Sequence, residues 1–393
     1  MASITKRGEA YRIRVSDGYD SQGKQIMRTM TWRPAPGMTA KQAEKELQRQ
    51  ATLFEEKIKT GRYVDASTKF QDFAEERWFS DYGKEQLRDR TYYRYKSLAV
   101  RTYQAIGHIP LCKLQPHHLI EFYQQLAEPG QNQRTGGPLA PKTIKHYHTF
   151  ISSVLERAYK WGVILENPAH RVDSPKAQKK ELDFLEEEEI LQLLEALGQE
   201  PVEHRAMFML LIYGGIRRSE LLGLEWPDID FSTGVVSIIR TSQYCTEMGI
   251  YTDTTKTRES QRSFKLPRNV LDVLEQHRRE QARQRLKLGD QWKDYRRLFT
   301  QWDGAPMSLN TPYLILQKVL KKTGMRQVSL HSLRHSNATL LINQGVNIKA
   351  VSGRLGHSQT STTMEIYAHQ IKSADAAAAD ALELALDRNR KNA

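Results

Sequence analysis

The C-terminal part of the sequence concentrates side chains that could act together on a phosphodiester. Three motifs, HSLRH, LGHS and MEIYAH, contribute the candidates His331, Arg334, His357 and Tyr367. His331 and Arg334 are three residues apart, so a helix would place them on one face. A tyrosine needs a base and nearby cations before its phenol attacks at neutral pH. Together these residue types could bind a phosphodiester, attack it and protonate the leaving oxygen without a metal.

Two upstream motifs could complete such a site. GGIRRSELLGL puts Arg217 after a Gly-Gly break at the start of a helix, and Glu220 could orient it from one turn later. Two guanidinium groups on one phosphate would favour its pentavalent state. TKTRESQRSFKLP puts Lys256 in an expected hairpin, where an ammonium near DNA could act as a general acid. Taken singly, Arg217 could also be a structural ion pair and Lys256 a solvated turn residue.

The composition indicates a multidomain protein that binds a polyanion. The chain has 393 residues, more than one ordinary domain, and a formal net charge of +13. Nucleic acid is favoured over an anionic membrane surface, because no apolar run approaches the length of a spanning helix. The first residues lack the apolar core of a signal peptide, and the two cysteines give no disulfide framework and no zinc spacing. We therefore expect a cytoplasmic protein with no cofactor, no metal and no membrane partner.

The sequence predicts a mainly α fold with small β-sheets (α+β), divided into three domains. Alternation in AYRIRVS and QIMRTMTW predicts a sheet of two or three strands, and a capping box at Thr39 begins a helix that packs on it. These elements form a module over residues 1–62. Helical periodicity follows over 65–172. A lysine-rich linker over 173–184 leads to a mixed, mainly helical domain over 185–393.

The motifs resemble those of the tyrosine recombinase (phage integrase) family. The first family motif, roughly T-G-x-R-x-x-E-x-x-x-L, corresponds to GGIRRSELLGL, and H-x-L-R-H corresponds to HSLRH. LGHS and the tyrosine of IYAH follow at the intervals found in the family. Gly214 departs from the pattern, since the family often has Thr there. Upstream, 65–172 is similar to the helical core-binding (SAM-like) domain, and 1–62 is similar to the arm-binding module of integrases from lambdoid phages and conjugative transposons.

The resemblance implies a role for each candidate residue. Tyr367 would form a 3′-phosphotyrosyl bond with the scissile phosphate, His331 would serve as its base, and Lys256 would protonate the leaving oxygen. Lys256 is preferred to Lys265 because it precedes the second strand of the hairpin, as the catalytic lysine of the family usually does. The phosphate oxygens would be bound by Arg217, Arg334 and His357. Because the covalent link keeps the phosphodiester energy, the reaction would need neither ATP nor metal.

The resemblance further implies an integrase that inserts and excises a phage or conjugative transposon by strand exchange. It would act as a homotetramer on core and arm sites of double-stranded DNA, with an accessory excision factor, near the nucleoid of a bacterial host. A terminal helix over 376–387 would dock on a neighbouring protomer or on its own domain. The side chains expected to contact DNA are Lys6, Arg12, Arg14, Arg28, Arg90, Arg94, Lys142 and Lys145.

Two other functions remain as alternatives. A DNA-binding regulator with a degenerate catalytic domain would be indicated by a missing arginine or tyrosine, yet every expected position is filled. A relative of the type IB topoisomerases would relax supercoils without recombining DNA. Products formed on a supercoiled plasmid with and without a paired site would separate relaxation from recombination.

Overall fold

The computed structural model describes six stretches of the chain, namely residues 2–19, 22–59, 68–176, 183–254, 261–356 and 360–366. The chain divides into two compact units, Met1–Gln178 and Lys179–Ala393. The boundary between them falls inside the stretch 173–184 that the sequence predicts as a linker. Four predictions lie outside the described residues, those for Lys256, His357, Tyr367 and the helix over 376–387.

The first unit begins with a three-stranded antiparallel sheet under one helix. The elements are β1 (Ser3–Arg7), β2 (Ala10–Tyr19), β3 (Gln25–Trp32) and α1 (Ala40–Lys59). Ile13 of β2 pairs with Ile4 on one side and Met30 on the other, and side chains of this parity share one face. Helix α1 packs its apolar stripe on that face. The predicted capping box begins the helix, since the amide of Thr39 donates to the side chain of Gln42 at 3.0 Å.

Helices with a hydrophobic core of their own make up the rest of this unit. They are α2 (Phe70–Phe73), a π-helical stretch (Ala74–Gly83), α3 (Lys84–Gln86), α4 (Asp89–Thr102), a second π-helical stretch (Tyr103–Gly107), α5 (Pro116–Leu126) and α6 (Pro141–Lys160). The buried Trp78 meets Phe79 and Phe150 edge to face in this core. Tyr92 and Tyr95 of α4 pack half-buried against it. The arginines that alternate with these tyrosines are thereby left on the outer side of α4.

The second unit is mainly helical with two small antiparallel sheets. Its helices are α7 (Glu187–Gly198), α8 (Val202–Gly214), α9 (Arg218–Leu221), α10 (Arg268–Leu288), α11 (Thr311–Thr323), α12 (Leu330–Asn343), α13 (Ile348–Leu355) and α14 (Thr360–Ile366). Its strands are β4 (Ile229–Asp230), β5 (Val235–Ile238), β6 (Arg240–Cys245), β7 (Gly249–Thr254) and β8 (Arg262–Lys265). The predicted fold class, mainly α with small sheets, is therefore confirmed. In the stretches that the structure describes, no helix has the length and apolar character needed to cross a membrane.

Helix α8 is the central element of the second unit. Every residue over 206–212 is buried, because α10, α12 and α7 pack around it. A helix that is enclosed on all sides has no polar face and therefore no amphipathic period. Its C-terminal end is fixed in the interior, and this end leads directly into the segment that carries Arg217.

The hairpin predicted around Lys256 is wrong in its strand pairing. The sequence VVSIIRTS over 235–242 predicts one strand of this hairpin, but the strand is interrupted at Ile239 and its two halves pair with different strands. Strand β5 pairs with β8 in the sheet ordered β4-β5-β8, while β6 pairs with β7. The strands that precede and follow Lys256 in the sequence consequently belong to two sheets.

Candidate active site

The end of α8 and the start of α9 form a tight corner that presents Arg217. Gly215 ends α8 with φ +59°, and a Cβ there would lie 2.6 Å from Oδ1 of Asn337. Asn337 of α12 donates to the carbonyls of Ile212 and Tyr213 at 2.8 and 3.2 Å. This conformation and this space require glycine. The Gly-Gly break thus places Arg217 at the N-cap of α9.

The departure from the family pattern at Gly214 has a steric explanation. A Cβ at this position would lie 2.9 Å from Cζ of Phe264. Phe264 is buried in β8, and the guanidinium of Arg354 lies over its ring at 5.0 Å. The phenyl ring therefore fills the volume that a threonine side chain would need.

Glu220 joins two arginines next to this corner. Its carboxylate accepts from Nη1 of Arg217 at 2.7 Å and from Nη2 of Arg262 at 2.8 Å. The side chains of Glu220 and Arg262 are 3% and 5% exposed, whereas that of Arg217 is 36% exposed. Burial by itself raises the pKa of Glu220, but Arg262 and then Arg217 outweigh it and hold the pKa at about 2. Glu220 is therefore ionised at neutral pH, and Arg217 is the most accessible member of the trio.

The motifs of the sequence do not indicate Arg262, although strand alternation carries a signal for it. It precedes the buried Phe264 by two residues in β8, and residues two apart in a strand share a face. Lys265, the alternative to Lys256, is exposed and has the opposite parity. The local sequence does not predict the partner of Arg262, because Glu220 is 42 residues away in the chain.

Arg334 projects from α12 into the interior and is only 2% exposed. Its Nη1 donates to the carbonyl of Gly215 at 2.6 Å, and its Nη2 donates to the carbonyl of Leu355 at 2.7 Å. Arg334 thus connects the corner after α8 to the end of α13. In this arrangement Arg217 is the more accessible of the two arginines predicted to bind the phosphate, and Arg334 is held behind the surface.

His331 lies one turn before Arg334 on α12 and is exposed to solvent. Desolvation of its inner side, followed by the positive charges of Arg334 and Arg217, lowers its pKa below the ordinary histidine value. The imidazole is therefore neutral at neutral pH, which is the form that accepts a proton. Its ring meets that of His335 edge-on, with centroids 4.5 Å apart. The structure thus brings together three of the predicted residues, Arg217, His331 and Arg334.

Three arginines converge on consecutive carbonyl groups at the C-terminal end of α13. The donor and acceptor pairs are Arg262 to Arg354 at 2.6 Å, Arg334 to Leu355 at 2.7 Å and Arg217 to Gly356 at 3.0 Å. The last carbonyls of a helix lack intrahelical partners and carry partial negative charge, so cationic donors suit them. We call these three arginines and the 354–356 carbonyls the arginine clamp. Gly356 completes it with φ +68°, since a Cβ would lie 2.8 Å from Nη1 of Arg262.

The arginine clamp and His331 favour chemistry on an anion. Arg217 offers a partly exposed cation, Arg334 a fixed charge behind it, and His331 a neutral base within range of both charges. Among the residues that the structure describes, no cluster of three His, Cys, Asp or Glu side chains could hold a metal ion. The cations and the base are thus supplied by side chains already in position.

Two of the DNA contacts predicted in the N-terminal sheet share its uncovered side. Arg12 and Arg14 alternate with the buried Ile13 of β2, so they lie on the side away from α1. The register brings hydroxyl side chains beside them from β1 and β3. We call this side the open face; it consists of Thr5, Arg7, Arg12, Arg14, Thr29 and Thr31.

The other two predicted contacts in this sheet have the opposite parity. Lys6 pairs with Tyr11 and lies 5.9 Å from the centre of its ring. Arg28 forms an ion pair with Asp17 at 2.8 Å. Both arise on the side that α1 covers, because each is in register with residues that face the core. Their placement separates them from Arg12 and Arg14.

The predicted contacts of the helical segment lie on α4 and α6. Arg94 of α4 and Lys142 and Lys145 of α6 are exposed. Together they surround His146, whose pKa is lowered first by desolvation and then by these three positive charges. Arg90 is exposed one turn before Arg94 and shares its side of α4. The predicted DNA contacts do not include His146, although it follows Lys145 directly and Lys142 by one helical turn.

Comparison with known proteins identifies the family. Residues 183–373 match the model of the phage integrase family. The tyrosine recombinase XerC of Halalkalibacterium halodurans is 31% identical over 65% of this chain and 76% of its own length. The XerC-like tyrosine recombinase of Caldanaerobacter subterraneus subsp. tengcongensis is 28% identical over 92% of this chain and 93% of its own length.

A solved structure of the Tn1549 transposon integrase in complex with transposon right end DNA has the same fold. It aligns with a TM-score of 0.64 at 20% identity, covering 81% of this chain and 100% of that one. The same family is indicated by the motifs, by the side chains that converge in the second unit and by the curated relatives. The chain belongs to the tyrosine recombinase (phage integrase) family, whose members cleave and rejoin DNA strands.

Proposed function

We propose that this recombinase integrates and excises a mobile genetic element through a 3′-phosphotyrosyl intermediate. Tyr367 attacks the scissile phosphorus while His331 takes the phenolic proton, and the 5′ oxygen leaves with a proton from Lys256. A 5′-hydroxyl of the partner strand then attacks the phosphotyrosyl bond, which restores the diester and frees the tyrosine. Each step exchanges one phosphoester for another, so the cycle consumes neither ATP nor metal.

The observation that carries this proposal is the convergence of Arg217, His331 and Arg334. Arg334 bonds to the carbonyl of Gly215, which lies 119 residues earlier in the chain, so the three side chains meet only because of the tertiary fold. The pentavalent state of a phosphodiester carries more concentrated negative charge than the ground state, and preorganised cations stabilise it selectively. A neutral His331 supplies the base that the phenol requires. His357, which follows Gly356, completes the phosphate ligands in this proposal.

The N-terminal sheet and the resemblance to a transposon enzyme favour a mobile element. The fold is that of the Tn1549 transposon integrase, which was solved on transposon end DNA. A three-stranded sheet with arginines and threonines on its open face can supply phosphate contacts and hydrogen bonds to base edges. We propose that residues 1–62 bind arm sites through this face. The helical segment 65–172 binds the core site through Arg90, Arg94, Lys142 and Lys145.

The stoichiometry follows from the chemistry. Exchange between two duplexes breaks four strands, and each chain contributes one Tyr367 that holds one strand end. We therefore propose four copies of the chain on two DNA duplexes, with excision assisted by an accessory factor. Sedimentation of the protein with a stable four-way junction tests the number of copies, and a complex of two chains would contradict the proposal.

The covalent step is tested with a nicked suicide substrate, from which the cleaved strand diffuses away. The substrate is built from the ends of the host element, whose junctions are sequenced first. Wild-type protein should form a protein–DNA adduct that survives denaturing electrophoresis, and Tyr367→Phe should form none. Tyr313→Phe is the matched control, because Tyr313 is a partly exposed tyrosine of the same unit. If Tyr367→Phe forms an adduct, the mechanism is wrong. It is also wrong if neither wild type nor the variant forms one.

A further inference from the structure

The side chain of Arg262 joins Glu220 to the carbonyl groups of the arginine clamp. Its Nη1 and Nη2 donate to Oε1 and Oε2 of Glu220 at 3.1 and 2.8 Å, and its Nε donates to the carbonyl of Arg354 at 2.6 Å. A bidentate arginine–carboxylate pair fixes the orientation of both side chains. With 5% of its side chain exposed, Arg262 is placed to act on its neighbours rather than on DNA.

Both contacts of Arg262 lead to Arg217. Glu220 accepts from Nη1 of Arg217 at 2.7 Å and from its backbone amide at 2.9 Å. The other support of Arg217 is the carbonyl of Gly356 at 3.0 Å, two residues after the carbonyl that Arg262 holds. Nη1 of Arg262 also lies 2.8 Å from the position of a Cβ on Gly356. Arg262 is thus in contact with the carboxylate and with the turn that together orient Arg217.

We propose that Arg262 is a positioning residue for DNA cleavage, orienting Arg217 through Glu220 and fixing the turn over 354–356. The inference rests on the proposed function, since it assigns Arg262 a part in the reaction of the same site. Arg262 touches neither the phosphate nor the tyrosine in this scheme. Its contribution is the angle at which Arg217 presents its guanidinium, and a displacement of about 1 Å in a reacting group can cost about 100-fold in rate.

The chain offers a matched control for a buried arginine without this role. Arg297 is 4% exposed in the same unit, and its guanidinium donates to the carbonyl of Gly223 and to Oγ1 of Thr252. Like Arg262, it carries a buried charge with a backbone acceptor. A substitution at either position leaves polar groups unpaired and costs stability. Both variants lose a buried charge. A difference in their cleavage rates therefore reports the contacts that Arg262 makes in the clamp and that Arg297 does not make.

A pH profile separates orientation by Arg262 from a structural effect. The charged groups that act on Glu220 are Arg217 from its own turn and Arg262 from β8. Further out, Arg354 of α13 interacts with Arg262, and His331 of α12 interacts with Arg334 and Arg217. In Arg262→Gln the buried carboxyl keeps its desolvation but loses its main counter-charge, so its pKa rises. As pH falls through that raised pKa, Glu220 becomes neutral and releases Arg217.

The experiment measures single-turnover cleavage of the nicked substrate from pH 5 to 9 in the full-length protein. We expect Arg262→Gln to cleave up to about 100-fold more slowly than wild type. It should also show a second acidic limb, in addition to the limb that protonation of His331 gives to every variant, and Glu220→Gln/Arg262→Gln should lack this second limb. Arg262→Lys keeps the charge but not the bidentate geometry, so its rate should fall without a new limb. Arg297→Gln should lower the unfolding midpoint and leave the profile unchanged.

The outcomes distinguish this inference from the proposed function. If wild type forms an adduct and Arg262→Gln reproduces its rate and pH profile, or loses only what Arg297→Gln loses, the positioning role is wrong. If wild type forms no adduct, the proposed function fails. A carbon-13 titration of the carboxyl groups in both proteins then still tests the pair, because the Glu220 resonance must titrate at higher pH in Arg262→Gln. An unchanged titration overturns the inference without any measurement of activity.

Discussion

Arginines occupy opposite environments in the arginine clamp and on the open face of the N-terminal sheet. Arg262 and Arg334 are nearly buried and hydrogen-bonded to carbonyls or to Glu220. Arg12 and Arg14 lie at the surface, in alternation with a buried isoleucine. A buried charge is tolerated only when its partners are satisfied, and those partners then fix its direction. A surface charge keeps its conformational freedom and acts through a field that salt screens. The clamp suits a reaction that depends on angle, and the open face suits attraction to a polyanion.

The largest effect is expected from the deepest arginine. Arg334→Gln removes the charge that joins Gly215 to Leu355 and leaves two carbonyls without their donor. We expect single-turnover cleavage to fall about 100- to 1,000-fold and the free energy of unfolding to fall by about 3 kcal/mol. Affinity for core-site DNA, measured by gel shift, should change by less than about tenfold. Equal losses in affinity and cleavage would remove the distinction between the two environments.

The buried carboxylate gives the clamp a pH-dependent stability that the open face lacks. The pKa of Glu220 is about 2, below its ordinary value of 4.5, so the folded state binds this proton less readily than the unfolded state. The resulting stabilisation, about 3 kcal/mol, is fully present above pH 4.5 and is lost as pH falls toward 2. Glu220→Gln should be less stable at pH 7 and should show a flatter dependence of the unfolding midpoint between pH 5 and 2. Parallel curves for the two proteins would show that the pair does not carry this stability.

A single methyl group should disturb the clamp without removing a charge. Gly356→Ala puts a Cβ 2.8 Å from Nη1 of Arg262 at a φ of +68°, so either the turn or the guanidinium must shift. We expect a cost of about 2 kcal/mol in unfolding free energy and about tenfold slower cleavage. Gly353→Ala is the matched control, since a Cβ there meets nothing within 4 Å. Cleavage that is equally slow in both variants would point to helix α13 rather than to the clamp.

The smallest effect on cleavage is expected from the open face. Arg12→Ala/Arg14→Ala should leave cleavage of a core-only substrate unchanged and weaken binding to arm-site DNA. Each lost phosphate contact should reduce the slope of log affinity against log salt by about 1. Lys6→Ala/Arg28→Ala removes the same charge from the side that α1 covers. A salt slope that falls equally in both double variants would mean that net charge, rather than the open face, sets the affinity.

The sequence predicts elements well where one face is buried and one is exposed. The strands of the N-terminal sheet, the capping box at Thr39 and the amphipathic helices of both units carry that pattern. Helix α8 does not, because it is enclosed on all sides and its apolar run has no period. The run VVSIIRTS reads as one strand, and the break at Ile239 depends on strands that arrive later in the chain.

In the site, too, nearby sequence predicts some residues, while other contacts depend on the tertiary fold. The spacing of His331 and Arg334 predicts that they share one face of a helix. The Gly-Gly break predicts the turn at Gly215 that precedes Arg217. The role of Arg262 depends on Glu220, and each of the three arginines also donates to a backbone carbonyl, an acceptor that every residue type carries and that the sequence therefore does not indicate. The predictions for Lys256, His357 and Tyr367 remain predictions, resting on the family motifs.

The carbonyl acceptors of the arginine clamp are the last part of it to be synthesised. Arg217 bonds to a carbonyl that lies 139 residues later in the chain, and Arg334 to one that lies 21 residues later. The ribosome therefore completes both proposed DNA-binding surfaces before the 354–356 carbonyls exist. In the proposed scheme, a nascent chain would meet DNA before it holds the clamp carbonyls or Tyr367. In that scheme, a product halted before Leu355 would carry the proposed DNA-binding surfaces without the groups proposed to cut DNA, and we would expect it to compete with intact enzyme for its sites.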